Sequence, residues 1–242
     1  MGFGGRRRGQ GESLTPRTRH LTPVDGLITA IEPQVRGGGK RANVFVDGRY
    51  AFSLTIELAG SLRVGSSVDA STTARLLNDD QRARVYDAAL RFLGARPRSE
   101  REIRTRLAKH QFAPEMVDGA IERLRRIGLV DDAAFAEYWV EQRQTHRPRG
   151  GRLLKQELRS KGVDLDTAAA AIPADDDADD AYRAAARKAH SLRALDERTF
   201  KQRLGAFLQR RGFDYETTRT VVTRLLEESG IRSQESRDSD IE

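Results

Sequence analysis

The 242-residue sequence contains no cysteine, a single tryptophan and two methionines. Without thiols the chain has no disulfide framework, no thiol nucleophile and no thiolate metal ligand. Long apolar runs are missing as well, since nothing approaches the roughly 18 residues that a membrane helix needs; no membrane association is expected. The stretch from Met1 to Thr22 carries arginines but no apolar segment of the kind that directs secretion, and a cytoplasmic location is expected. Histidines are few, at positions 20, 110, 146 and 190, and no two are spaced three or four apart, which gives a metal site little support. Nor do a nucleophile, a base and an orienting group occur at supportive spacing. The sequence reads as a protein that is not an enzyme and needs no cofactor.

Charge, by contrast, is abundant. Lys and Arg number 43 against 36 Asp and Glu, giving +7, and 33% of residues are charged, above the usual quarter. All but six of the basic residues are arginine, whose planar guanidinium forks onto phosphate and carboxylate. Residues 1–23 hold five basic residues and one acidic, residues 81–130 twelve and six, and residues 131–230 eighteen of each. The excess therefore sits in the N-terminal stretch and in one middle block.

Residues 1–23 are rich in Gly, Arg, Ser, Thr and Pro and have almost nothing to bury. Ordering them would cost backbone entropy that no core contact returns, so a disordered basic arm is expected. Residues 24–80 read as a small β-rich N-terminal extension. β-favouring stretches at 27–31, 43–46 and 49–54 are separated by Gly37, Gly38 and Gly39 and by Asp47-Gly48, the last a hairpin signal. Three strands are expected, with Ile56, Leu58, Leu62, Leu76 and Leu77 on short helices that cover one side. Gly37 to Lys40 lacks the spacing and the Ser or Thr of a phosphate loop and reads as a β turn. After Asn78 the spacing is helical: Ser99 to Glu102 reads as a capping box, and Pro114 sits where a first helical turn tolerates it. The acidic run Asp175 to Asp180 reads as a helix start, and residues 230–242 as a disordered acidic tail.

The helical part repeats itself. Ile103, Leu107 and Phe112 are echoed by Leu154, Leu158 and Val163, then by Leu204, Leu208 and Phe213, at periods of 51 and 50 residues. Ile121, Ile172 and Val222 extend the register. Each unit opens with a further apolar helix, carried by Leu90, Phe92 and Leu93, by Phe135, Trp139 and Val140, and by Tyr182, Ala185 and Ala189. The spacing predicts a mainly α protein of three tandem three-helix repeats, at 81–130, 131–173 and 174–229. Units of this size are expected to share apolar faces with their neighbours and to form an elongated curved array. Phe135, Tyr138 and Trp139 read as core, with a base-stacking platform as the rarer alternative.

Basic residues follow the same period. Arg98, Arg101 and Arg104 match Arg149, Arg152 and Lys155 at a shift of 51, and Arg159 extends the second set. At about 100° per residue Arg101 lies opposite the midpoint of Ile103 and Leu107, so the basic stripe points away from the core. At the matching positions the third unit has Thr199, Gln202, Gly205 and Gln209, and the stripe stops. These seven residues are candidate contacts for phosphates or an acidic protein, against the alternative of an ordinary solvated surface.

Ser99 to Leu107 (SEREIRTRL), the stretch RRIGLVDDAAFAEYWVEQR and the later LLKQELRSKGV together resemble the RecX regulators of homologous recombination, over about residues 82–228. The resemblance implies three tandem three-helix repeats, in some members after a β-rich extension. It implies a non-enzymatic partner of the RecA recombinase that lies in the groove of the filament on single- or double-stranded DNA; separately, a monomer is expected. Such a partner limits filament extension or promotes filament loss, so that ATP hydrolysis and strand exchange fall, and it bears on DNA repair and SOS control. The alternative is a sequence-independent DNA-binding protein that uses the same arginines and the arm residues Arg6, Arg7 and Arg8.

Overall fold

The structure, a computed structural model, describes residues 23–35, 39–173 and 177–231. Apart from their innermost residues, the stretches read as a basic arm and an acidic tail lie outside the described residues, as do Gly37, Gly38, Asp175 and Asp176. Two compact units meet in sequence between Arg84 and Val85.

The first unit contains β1 (Gly26–Pro33), β2 (Arg41–Val46), β3 (Arg49–Thr55), α1 (Ile56–Ala59), β4 (Ser67–Val68) and the start of α2 (Ala70–Leu93). The strands form an antiparallel sheet in the order β3-β2-β1-β4. On β2 the buried residues Ala42, Val44 and Val46 alternate with less buried neighbours, as one packed face requires. Asp47 and Gly48 both adopt positive φ, 50° and 75°, the conformation that a two-residue hairpin turn demands. The three expected strands are joined by a fourth, β4, which pairs only Ser67 and Val68 with β1 and is too short to carry a period of two. α2 also begins earlier than the spacing suggested, at Ala70, where Asp69 accepts from the Thr72 amide at 2.6 Å. Leu76 and Leu77 therefore sit on this long helix and join Ile28, Val44, Phe52 and Leu54 in the core.

Buried Asp80 closes the edge of this sheet. Its carboxylate accepts from the Arg41 guanidinium at 3.1 and 3.0 Å and from the Thr55 amide at 2.8 Å. Arg41 also donates to the Ser53 carbonyl, so two backbone groups at this end of edge strand β3 are occupied and are not free to pair with another strand.

The second unit holds the rest of α2, α3 (Glu100–Ala108), α4 (Pro114–Arg126), α5 (Asp132–His146), α6 (Gly151–Ser160), α7 (Leu165–Ala170), α8 (Asp177–Leu192), α9 (Glu197–Arg210) and α10 (Tyr215–Ser229). These make three three-helix repeats with α3, α6 and α9 as the middle helices. Ile103 and Leu107, Leu154 and Leu158, and Leu204 and Leu208 are all buried, the outcome that the 51- and 50-residue periods predict. Each middle helix ends at a left-handed residue: Gln111 (φ 57°), Gly162 (φ 92°) and Gly212 (φ 91°). Aspartate caps then start α7 and α10 through the Thr167 and Thr217 amides, whereas α4 starts with Pro114.

Contrary to the expectation of shared apolar faces, each repeat encloses its own buried cluster, and the repeats are joined by polar and backbone contacts. At the first joint Ser99 Oγ donates to the Lys161 carbonyl at 2.6 Å, and Lys161 Nζ donates to Glu102 at 2.6 Å. At the second, the Gly150 amide donates to the Arg211 carbonyl at 3.0 Å, and the Arg211 guanidinium donates to the Pro148 carbonyl at 3.2 Å. Position 99 corresponds to 150 and 161 to 211, so one joint is built twice. The close approach explains the glycines: a Cβ at 162 would strike the Arg101 side chain, and one at 212 would strike Leu153.

Candidate binding face

Ser99 starts α3 as its N-cap, accepting from the Glu102 amide. The reciprocal half of the capping box is missing, because the Glu102 carboxylate turns instead to Arg96, at 3.1 Å through each oxygen, and to Lys161. With Ile103 and Leu107 buried, Arg101 and Arg104 are left exposed, as the helical spacing requires.

The seven residues of the stripe do not share one environment. Arg104 donates to Glu100 at 2.7 Å and to Asp118, and those bonds raise its pKa above the usual arginine value. Arg149 is paired with Glu157. Arg98 is half-buried with its guanidinium 4.1 Å from the Phe92 ring. Its Nε is buried without a hydrogen-bond partner, and burial, followed by the charge of Arg96, lowers its pKa. Arg152 is exposed and donates to the Gln209 carbonyl at 3.1 Å. Arg101, Lys155 and Arg159 are exposed and have no ion pair among the described residues. The structure thus divides the stripe into internally held cations and cations open to a partner.

Phe135 and Trp139 of α5 belong to the protein's own packing. Phe135 is buried against the half-buried Trp139, with ring centroids 5.9 Å apart. Trp139 donates to Glu157 at 2.8 Å, and its ring is faced by Arg143 at 4.4 Å and Lys161 at 4.8 Å. Both cations come from the second repeat, and Lys161 carries the contact on to Glu102 of the first. The stacking-platform alternative fails for Trp139 because its ring already has cationic neighbours.

Each joint opens onto a cleft. The first, about 340 Å³, is lined by Phe92, Arg101, Thr105, Arg106, Lys109 and Ser160, with Glu102 and Lys161 at its wall. The second, about 370 Å³, includes Arg152, Lys155, Ile172, Pro173, Gly212 and Asp214. Arg106 and Lys109 were missed in the sequence because the repeat comparison selected cations present in both units, and 51 residues later stand Glu157 and Ser160. Among the described residues no group of three or more His, Asp or Glu side chains is placed to hold a metal ion, and no helix is long and apolar enough to cross a membrane.

Three family models match in order: RecX, first three-helix domain, over residues 86–124; the second three-helix domain over 131–172; and the third over 175–222. The regulatory protein RecX of Levilactobacillus brevis is 32% identical over 204 residues, 82% of this chain and 76% of that protein. The chain belongs to the RecX family. The RecX protein of Clostridium perfringens is 30% identical over 207 residues, covering 83% of this chain and 96% of its own. A crystal structure titled as regulatory protein RecX superimposes with a TM-score of 0.63 at 26% identity, over 82% of this chain and 98% of that one. The crystal structure of RecX from Lactobacillus salivarius shares the fold, with a TM-score of 0.56 at 23% identity over 61% of this chain and 97% of that one. The relatives from Levilactobacillus brevis and Clostridium perfringens are named regulatory proteins.

Proposed function

We propose that this RecX-family protein is a non-enzymatic cytoplasmic regulator of homologous recombination. It binds the RecA recombinase filament on DNA and limits its extension, ATP hydrolysis and strand exchange, and through them DNA repair and the SOS response. Family membership across all three repeats carries this reading. The basic faces of α3 and α6 are its contact surface, and within the stripe Arg101, Arg152, Lys155 and Arg159 make the contacts. Arg98, Arg104 and Arg149 shape that surface through their internal partners. To act on filament growth the protein must bind one filament state better than another, and two cationic faces repeated along one chain suit a target made of repeated subunits.

The test is ATP hydrolysis by the cognate RecA on single-stranded DNA, with this protein titrated from far below equal stoichiometry upward. Inhibition well below stoichiometry is expected, as for action at filament ends. No change in hydrolysis at any ratio would overturn the reading.

A further inference from the structure

The second joint cleft is not only cationic. Arg152 and Lys155 line it, exposed and without an ion pair among the described residues, and Ala169, Ile172 and Pro173 give it an apolar wall. Arg152 spends one N–H on the Gln209 carbonyl and keeps the other donors of its guanidinium. The carboxylate in the cleft, Asp214, caps α10 by accepting from the Thr217 amide at 2.7 Å. The apolar wall offers a bare anion nothing to bury against. Cations beside an apolar wall suit an acidic peptide that carries an apolar side chain between its carboxylates.

The chain carries such a peptide itself. Asp240-Ile241-Glu242 places one isoleucine between two acids, and residues 238–242 hold three acids and no base. Reach permits the contact. α10 starts at Tyr215, next to Asp214 in the cleft, and its 15 residues carry the chain about 22 Å away. Gly230 then turns into the left-handed conformation (φ 69°), and Ile231 packs on the core of the third repeat, which ends the outward course of the helix. An extended chain covers up to about 3.3 Å per residue, so Asp240, nine residues past Ile231, reaches about 30 Å and can return to the cleft. Glu235, four residues past Ile231, reaches only about 13 Å and cannot.

From this match of charge, hydropathy and reach we infer that Asp240-Ile241-Glu242 folds back into the second joint cleft of its own chain. The two carboxylates pair with Arg152 and Lys155, and Ile241 covers the wall of Ala169, Ile172 and Pro173. The protein thereby masks part of its own cationic surface, and an external ligand of Arg152 and Lys155 must displace the segment. The contact stands apart from the proposed function, whereas its consequence, a raised threshold for inhibition of RecA, rests on that reading.

Because the sequence has no cysteine, Ser239→Cys carries a nitroxide label at a single place. At low salt the label should broaden the amide resonances of Gly151 to Lys155 and of Ala169 to Ile172. Asp240→Asn and Ile241→Ser, each added to the labelled chain, should reduce that broadening several-fold. Glu235→Gln, the same change of charge short of the cleft, should leave it nearly unchanged. Broadening confined to other residues, or an equal response to all three substitutions, overturns the contact. Labelled chains of natural isotope content mixed with unlabelled, isotope-enriched chains should show no broadening; if they do, the segment reaches a second copy and the fold-back is overturned. In ATP hydrolysis by RecA, Asp240→Asn should lower the half-inhibitory concentration several-fold and Glu235→Gln should not. Equal inhibition by parent and Asp240→Asn, with the contact present, overturns the masking. If neither inhibits RecA, the proposed function fails while the contact stands on the spectra.

Discussion

At the scale of single residues, position 111 shows how the fold constrains a side chain. Gln111, Gly162 and Gly212 end equivalent helices in the same left-handed conformation. The second and third are glycine because the preceding repeat leaves no space for a Cβ, whereas the first repeat has none before it. Gln111 still bears the backbone cost of positive φ, about 1 kcal/mol. Gln111→Gly is expected to stabilise the protein by up to about that amount, read as a higher urea midpoint at unchanged slope. Asp80 lies at the other extreme. It is 3% exposed and serves both Arg41 and the Thr55 amide, so Asp80→Ala should cost the first unit roughly 2 to 4 kcal/mol. Selective loss of amide-exchange protection in β2 and β3 would check this. Which arginines are free was not legible at this scale. Spacing places Arg101 and Arg104 on one exposed face, but only the fold brings Asp118, 14 residues away, to Arg104.

At the scale of elements, the middle helices were legible because their apolar positions recur at spacings of 4 and 5 and each must face a core. The joints were not, because they depend on pairs such as Ser99 with Lys161, 62 residues apart, and no local pattern marks them. The first joint has a pH signature. Burial alone would raise the Glu102 carboxyl, but hydrogen bonds and charge from Arg96 and Lys161 outweigh it and hold the group below its usual 4.5. A carboxylate depressed in the folded state contributes stability above its unfolded pKa and loses it as pH falls through the folded value. Melting temperature should therefore decline below about pH 4.5, and Glu102→Gln should be less stable near neutral pH with a flatter acid limb. Equal acid limbs for the two proteins would show that Glu102 is uncoupled from stability. β4 and the early start of α2 were also illegible. Two residues carry no periodicity, and the Ser-Thr-Thr run at 71–73 disguises a helix held by Asp69 and by burial of Leu76 and Leu77.

At the scale of the molecule, separate cores connected by small polar joints make the three repeats individually modest and mutually dependent. In such arrays stability approximates intrinsic terms plus nearest-neighbour terms, and the joints supply the latter through hydrogen bonds worth about 1 kcal/mol each and tight backbone packing. Weakening one joint should then cost cooperativity more than it costs helix content. Gly150 is the place to do so: a Cβ there would run into the Gly212 backbone, yet the residue caps α6 and buries no side chain of its own. Trp139 is the single tryptophan and lies in the second repeat against Lys161 and Glu157, so its fluorescence reports that repeat, whereas far-ultraviolet circular dichroism reports all the helices. In the parent protein the Trp139 transition is expected to coincide with the main helical transition in urea. Gly150→Val should separate the two, because the third repeat would unfold without drawing the second with it. If the curves for Gly150→Val still coincide at a lowered midpoint, the repeats are coupled by contacts other than the joint between Gly150 and Arg211.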